Sequence, residues 1–343
     1  MHKSRFIITA AAVLALAGVF SCKKNDDTTT LPSLSGTLKF KDRPIYVKPQ
    51  EEVELTLSGV THPEGGTVRY VITVVEGYRT VRDTLDEGVM SMKYTFCDRK
   101  FFSADTLRNV TVTGTAFAEG YYSSSTGTVD MFIVKGGLTG GSINGILLNI
   151  GDESVTADGT TYYTRDNGEA GTWLRQNVAK KDKGVPYLNS PAMLDVFGSF
   201  LSWEDAKTAC PAGYRLTTDE DWVKIAKAVG AGDDAKVHET ISGTVAPHLM
   251  ADATFNYEQS SLWTYWKGMD IDDKAGLSIL PTGYANLSSG SFSGVQQIAA
   301  FWTADENDAD TAWYRYINEK EPGLFAATAD KKSFGASVRC VKE

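Results

Sequence analysis

Apolar and polar residues alternate with a period of two along residues 36–136. Val53, Leu55 and Leu57 point one way while Glu54 and Thr56 point the other. Val68, Tyr70, Ile72 and Val74 repeat the pattern, as do Val110 with Val112 and the series Val129, Met131 and Ile133. Successive side chains leave opposite faces of a strand, so this alternation predicts strands buried on one side. Turn residues punctuate it at His62-Pro63-Glu64-Gly65-Gly66 and Ala118-Glu119-Gly120. About seven short strands in such a span predict an all-β antiparallel sandwich.

Residues 144–343 carry a different pattern. Ser202 with Asp205, and Thr218 with Asp221, have the spacing of helix starts, where hydroxyl and acid cover each other's free backbone N–H groups. After the second start, Trp222, Ile225, Ala226 and Val229 share one helical face and Gly230 ends the run. Strands are expected at residues 277–280, 299–303, 313–317 and 333–341, with long turn-rich stretches between. The second half therefore reads as an α+β domain. Residues 137–143 lie in the run Gly136-Gly137-Leu138-Thr139-Gly140-Gly141-Ser142 and read as a Gly-rich linker. All seven Trp lie beyond it, which supports a boundary near residue 140.

Residues 1–21 read as a targeting segment. His2, Lys3 and Arg5 precede an apolar stretch over residues 6–20, too short to cross a bilayer comfortably and suited to a signal-peptide core. Val19-Phe20-Ser21-Cys22 resembles a bacterial lipobox, which implies cleavage before Cys22 and acylation of that residue. The alternative is an ordinary signal peptide with a chance cysteine. Lys23-Lys24-Asn25-Asp26-Asp27 is similar to the Lys-plus-acidic export signal of Bacteroidota lipoproteins, and implies the outer face of the outer membrane. Residues 22–35 then form a lipid-anchored flexible tether.

The net charge is −9 at pH 7, and loss of the leader with Lys3 and Arg5 makes the mature chain more acidic. Phosphate binding needs a basic footprint, so nucleic acid is not an expected partner. The mature histidines His62, His238 and His248 lack metal-ligand spacing. Neither a GxSxG nor a phosphate-binding glycine motif is present, and no catalytic residue is assigned. A carboxylate pair acting on polysaccharide stays open, because such a pair leaves no signature in sequence.

Two clusters are candidate binding sites. Trp263, Tyr265 and Trp266 place large rings close together with Asp270 nearby, which suits stacking and hydrogen bonding to a sugar. The alternative is core packing. Asp305, Glu306, Asn307 and Asp308 gather oxygens on one loop, which suits Ca²⁺ with its six to eight oxygen ligands. The alternative is a solvated acidic hairpin. Calcium is the one cofactor these residues admit.

Four runs recur in order through the second half. They are Ala209-Cys210-Pro211-Ala212-Gly213-Tyr214-Arg215-Leu216-Thr217-Thr218-Asp219-Glu220-Asp221-Trp222, Leu280-Pro281-Thr282-Gly283-Tyr284, Phe301-Trp302-Thr303-Ala304 and Gly335-Ala336-Ser337-Val338-Arg339-Cys340-Val341. Together they resemble the major paralogous domain family first named from Fibrobacter, whose fold looks like a variant of the C-type-lectin-like fold. Tyr162-Tyr163-Thr164 and the run from Thr172 to Asn177 are similar to that family's opening strands. The resemblance implies an extracellular binding module over residues 144–343 and a Cys210–Cys340 disulfide. Cys97 is left over, either as a buried thiol or as a reactive one. The run from Ala116 to Tyr122 resembles the penultimate strand and turn of bacterial immunoglobulin-like domains.

The reading that joins these features is a surface lipoprotein whose immunoglobulin-like spacer carries a binding or adhesion module. Its expected partner is a glycan or a host or matrix protein, reached in one version at the tip of a fimbria. The alternatives are a polysaccharide-acting enzyme and a purely structural envelope protein.

Overall fold

The computed structural model describes residues 30–96, 107–134, 153–251, 263 and 270–343. The leader with Cys22, most of the tether, Cys97, the Gly-rich linker, Tyr265 and Trp266 lie outside the described residues.

The N-terminal half is a two-sheet β-sandwich. One sheet has the order β1 (Ser35–Lys41), β3 (Glu52–Thr61), β6 (Ser91–Thr95). The other runs β2 (Tyr46–Val47), β8 (Ser124–Val134), β7 (Leu107–Phe117), β4 (Arg69–Glu76), β5 (Arg79–Thr84). Leu55 and Leu57 from β3 meet Ile72, Val74, Val110, Val112, Met131 and Ile133 in one core. These are the apolar members of the alternating series. The register follows because a slip of one residue would turn that whole set toward water.

The C-terminal half is richer in strand than the α+β expectation. A five-stranded sheet runs β14 (Tyr214–Leu216), β21 (Cys340–Lys342), β11 (Thr172–Leu174), β10 (Thr160–Asp166), β9 (Ser154–Ala157). Smaller sheets pair β12 (Val185–Pro186) with β13 (Ser199–Phe200), and order β16 (Ser291–Ser293), β15 (Tyr284–Asn286), β20 (Phe334–Gly335). The longest strands form a meander of β17 (Ile298–Glu306), β18 (Thr311–Asn318) and β19 (Glu321–Asp330).

Both expected helix starts are present. Ser202 Oγ caps α2 (Trp203–Ala206), which lasts a single turn, as does α1 (Leu194–Phe197). Thr218 and Asp221 form a capping box that opens α3 (Asp219–Ala228). Only α3 exceeds one turn among the described α-helices, so the lone amphipathic face of Trp222, Ile225 and Ala226 packs on sheet. The strand expected at 277–280 is reduced to one bridge between Met250 and Ile279, since its backbone groups bond to loops instead. No helix among the described residues is long and apolar enough to cross a membrane.

The two halves pack directly on each other. Val134, with Tyr46 and Phe132 beside it, joins Met193, Val196, Phe197 and Tyr187 in a shared apolar cluster. Tyr46 lies 5.5 Å from the Phe132 ring and 6.1 Å from that of Tyr187. Burial pushes the Tyr46 phenol well above its ordinary pKa. Ser190 Oγ is fully buried and accepts from the backbone N–H of Ile45 at 3.2 Å and of Tyr46 at 3.1 Å. The Lys48 ammonium reaches Asp195 at 2.5 Å. The glycine run suggests independent units, but apolar side chains on β2 and β8 point outward to a partner surface. Ser190→Ala would strip two buried N–H groups of their acceptor. It is expected to cost roughly 1–3 kcal/mol, read as a lower denaturation midpoint and faster amide exchange at Ile45 and Tyr46.

Candidate ligand-binding face

The four sequence runs converge at the centre of the C-terminal half, and each residue type has a local cause. In the last run, Arg339 is buried and its guanidinium donates to Asn177 Oδ1 at 2.7 Å and to the carbonyls of Leu174 at 3.1 Å and Leu277 at 2.6 Å. Asn177 Nδ2 donates in turn to Ser337 Oγ at 3.1 Å. This ties β11 and the segment after it to the end of the chain. Trp302 donates its indole N–H to the Leu201 carbonyl at 2.8 Å, and Trp203 donates to that of Thr303 at 2.8 Å. Cys210 and Cys340 are joined by a disulfide. The Leu-Pro-Thr-Gly-Tyr run turns where Gly283 adopts φ +73°, and a Cβ there would lie 2.2 Å from the Ser293 carbonyl oxygen. Only glycine fits such a position, and the turn it permits delivers Tyr284 to the surface.

Tyr284 joins a face of aromatic rings. Along β18, Arg315 and Ile317 are buried toward α3 and its core, so Tyr314 and Tyr316 take the opposite side of the sheet. The antiparallel register sets Tyr314 against Trp302 and Tyr316 against Phe325. Tyr316 and Phe325 stack at 5.1 Å, Tyr314 and Tyr316 lie 5.6 Å apart, Phe334 is 4.9 Å from Tyr314, and Tyr284 is 5.2 Å from Phe334. Tyr284, Tyr314, Tyr316, Phe325 and Phe334 are all half-buried. Buried Trp302 backs them edge-on. Ala327, across from Tyr314, leaves the surface low beside the ring. Burial, then the nearby Tyr316 and Tyr284 phenols, push Tyr314 up to about 12. The three phenol hydroxyls have no hydrogen-bond partner among the described residues. The result is a firm platform of flat apolar rings bearing three polar tips, suited to a ligand with one apolar face and several hydroxyl or amide groups.

Trp263 and the acidic loop lie elsewhere, while Tyr265 and Trp266 fall outside the described residues. Trp263 is 1% exposed and belongs to the core with Trp173, Trp222 and Phe301. Its indole Nε1 is buried without an acceptor among the described residues. Core packing, not a stacking surface, is where the structure places it, and Asp270 is exposed.

The acidic loop is held by an ammonium. Lys331 Nζ, nearly buried over the Trp203 ring, contacts Glu306 and the carbonyl oxygens of Asp308 and Ala309. Asp308 Oδ1 accepts from the backbone N–H groups of Asp310 and Thr311, and Asn307 bonds Thr311. Asp305 caps α3 by accepting from Asp219 N at 2.6 Å, and lies 3.6 Å from His238. Asn307 Nδ2 also donates to Asp308 Oδ2 at 2.9 Å, and no three acidic, His or Cys side chains among the described residues converge as metal ligands. Short Asx-type turns and one internal lysine shape the loop.

Burial raises the pKa of two carboxyls, Glu319 and Asp273. Burial lifts Asp273 to about 6 although Ser278 donates to it and Arg175 and Arg339 act against the shift. The charges named as acting on it are those of Arg175 and Arg339.

The aromatic face was missed because its five residues span Tyr284 to Phe334 and no local run contains more than two of them. The alternation Tyr314-Arg315-Tyr316 within an expected strand is the one available signal.

Residues 153–342 match the family described as the Fibrobacter succinogenes major domain. No curated protein and no solved structure matches the chain. The matched span covers more than half of the sequence and includes every strand and helix of the C-terminal half. The disulfide, the buried Arg339 network and the Gly283 turn all lie within it. The chain belongs to the Fibrobacter succinogenes major domain family.

Proposed function

We propose that this protein is a surface binding module that recognises a glycan through the face of Tyr284, Tyr314, Tyr316, Phe325 and Phe334. The observation that carries the reading is the set of three phenols without partners among the described residues on a half-buried aromatic surface. Buried tyrosine hydroxyls ordinarily find a partner, and polar tips on a preset apolar platform lose little entropy when a ligand meets them. The immunoglobulin-like and C-type-lectin-like identities of the two halves belong to this proposal. So does anchorage of the chain through Cys22 to the outer face of the outer membrane, where the module would serve adhesion, alone or at the tip of a fimbria. Direct packing of the two halves supports a rigid stand for the binding face.

The test is a glycan array probed with the soluble chain from residue 30 onward, in calcium and in EDTA. Saturable binding that persists in EDTA is expected, because the aromatic face needs no metal and Lys331 already engages Glu306 and the carbonyls of Asp308 and Ala309. Binding abolished by EDTA would move recognition to a metal. Failure to bind any glycan, with retention of a host or matrix protein instead, would replace the glycan by a protein partner.

A further inference from the structure

A second concave site lies where the two halves meet. It encloses about 460 Å³ and is lined by Lys48 from the N-terminal sandwich and by Lys180 and Lys181 from the C-terminal half. Pro186, Pro191 and Leu194 supply apolar wall, and Asn189 adds an amide at the rim. Among the described residues no Asp or Glu lines it, although the whole chain carries a charge of −9.

The charges around this cleft do not cancel within it. Lys48 is paired with Asp195 at 2.5 Å and Lys180 with Asp158 at 2.5 Å. Lys183, on the same segment, donates to Thr208 at 3.1 Å and stands 3.9 Å from Asp205. Lys181 is exposed and has no partner among the described residues. Three ammonium groups around one concavity repel each other, and the two flanking acids offset only two of them. The backbone here is held in place at some cost, since Leu188 and Asn189 both adopt left-handed conformations, with φ 51° and 52°. Ser190, which clips the two halves together, follows at once.

We infer that this cleft binds an anionic saccharide, a sugar ring carrying a carboxylate or a sulfate. The anion would sit against Lys181, with Lys48 and Lys180 beside it, and the ring would lie on the proline and leucine wall. A volume of this order suits one or two sugar rings. Because Lys48 and the other two lysines come from different halves, such a ligand bridges them and favours their docked arrangement. The inference does not rest on the aromatic face. Loss of neutral-glycan binding on the array leaves it standing, and absence of saturable anion binding defeats it alone.

The experiment is calorimetric titration of the soluble chain from residue 30 with four probes: a galacturonate disaccharide, a sulfated disaccharide, a neutral disaccharide of equal size, and sodium sulfate. At least one anionic disaccharide is expected to bind ten-fold or more tightly than the neutral one, and to weaken as salt rises. Lys181→Ala is expected to lower that affinity five-fold or more with an unchanged melting temperature, since its side chain supports nothing else. The carboxylate and sulfate arms tell which anion the cleft prefers. Equal binding of neutral and anionic sugars, or an affinity untouched by Lys181→Ala, would overturn the inference. Sodium sulfate binding as tightly as either disaccharide would also overturn it, because the apolar wall would then contribute nothing.

Discussion

Arg315→Ala is expected to lower the stability of the C-terminal half by roughly 3–5 kcal/mol, the range for removing one partner of a buried ion pair. Arg315 and Asp219 are both fully buried, at 0% side-chain exposure, and meet in a two-pronged contact through Nε at 2.7 Å and Nη2. The guanidinium also donates to the carbonyls of Glu239 at 2.6 Å and Lys236 at 3.2 Å, while Asp219 accepts from the His238 N–H at 2.7 Å. One residue thus joins β18, the start of α3 and the loop that follows it. Truncation would leave a carboxylate without its counter-charge in the core and two carbonyls without donors. At about 2–4 °C per kcal/mol for a unit of this size, the melting temperature should fall by about 6–20 °C. Such a loss is a large part of the ~5–15 kcal/mol that holds a typical domain together. The pair itself is not a strong source of net stability, because desolvating two charges offsets most of their attraction. Replacing both partners together, as Asp219→Leu with Arg315→Met, is therefore expected to cost much less than Arg315→Ala alone. Thermal melts of the three proteins decide this. A fall below about 1 kcal/mol for Arg315→Ala would mean that water reaches the pair.

Reducing the Cys210–Cys340 bond is expected to have a comparable effect by another route. The bond spans 130 residues of sequence with Cα atoms 5.9 Å apart. Closing a loop of that size restricts the unfolded chain by about 4–5 kcal/mol in the chain-entropy account. Cys340 lies on β21, which pairs with β14 on one side and β11 on the other. Freed from Cys210, this last strand has only a few ladder bonds to keep it in the middle of its sheet. The denaturation midpoint should therefore drop clearly in reductant, and Cys340→Ala should reproduce the drop without reductant. An unchanged midpoint, with the Cys210 and Cys340 thiols titratable alongside Cys97 before any reductant is added, would contradict the assignment. Arg315→Ala acts on the folded state and the disulfide acts mainly on the unfolded one, so the two losses should add.

Much of this architecture was readable from local pattern. The strand alternation of Val53, Leu55 and Leu57 and the capping box of Thr218 and Asp221 depend on near neighbours, and both form as the spacing implies. The disulfide was legible only through the family resemblance, since spacing alone leaves its partners open. What was not legible is what tertiary register assembles. Tyr316 meets Phe325 across a hairpin, and Phe334 reaches Tyr314 from another sheet. Trp263 has the composition of a binding platform, yet a loop-rich half needs large anchors and buries it. Lys331, which meets Glu306 in the acidic run at Asp305–Asp308, lies more than twenty residues away and is invisible to a local reading of that run. Contact between the halves was hidden for the same reason, since Tyr46 and Phe132 read as ordinary strand residues until Tyr187 and Phe197 close over them.

The central claim is that the aromatic face is the binding surface, and paired substitutions there test it most directly. The measurement is a binding isotherm for the best array ligand with the wild-type chain, with Tyr314→Phe/Tyr316→Phe, and with Tyr316→Ala. The phenylalanine pair keeps the rings and removes two hydroxyls. Affinity is expected to fall ten-fold or more, about 1.4 kcal/mol or more, in Tyr316→Ala, and by a smaller factor in the phenylalanine pair. Melting temperatures taken alongside show whether each variant stays folded. Folded variants that all bind as tightly as wild type would contradict the account and place recognition on another surface.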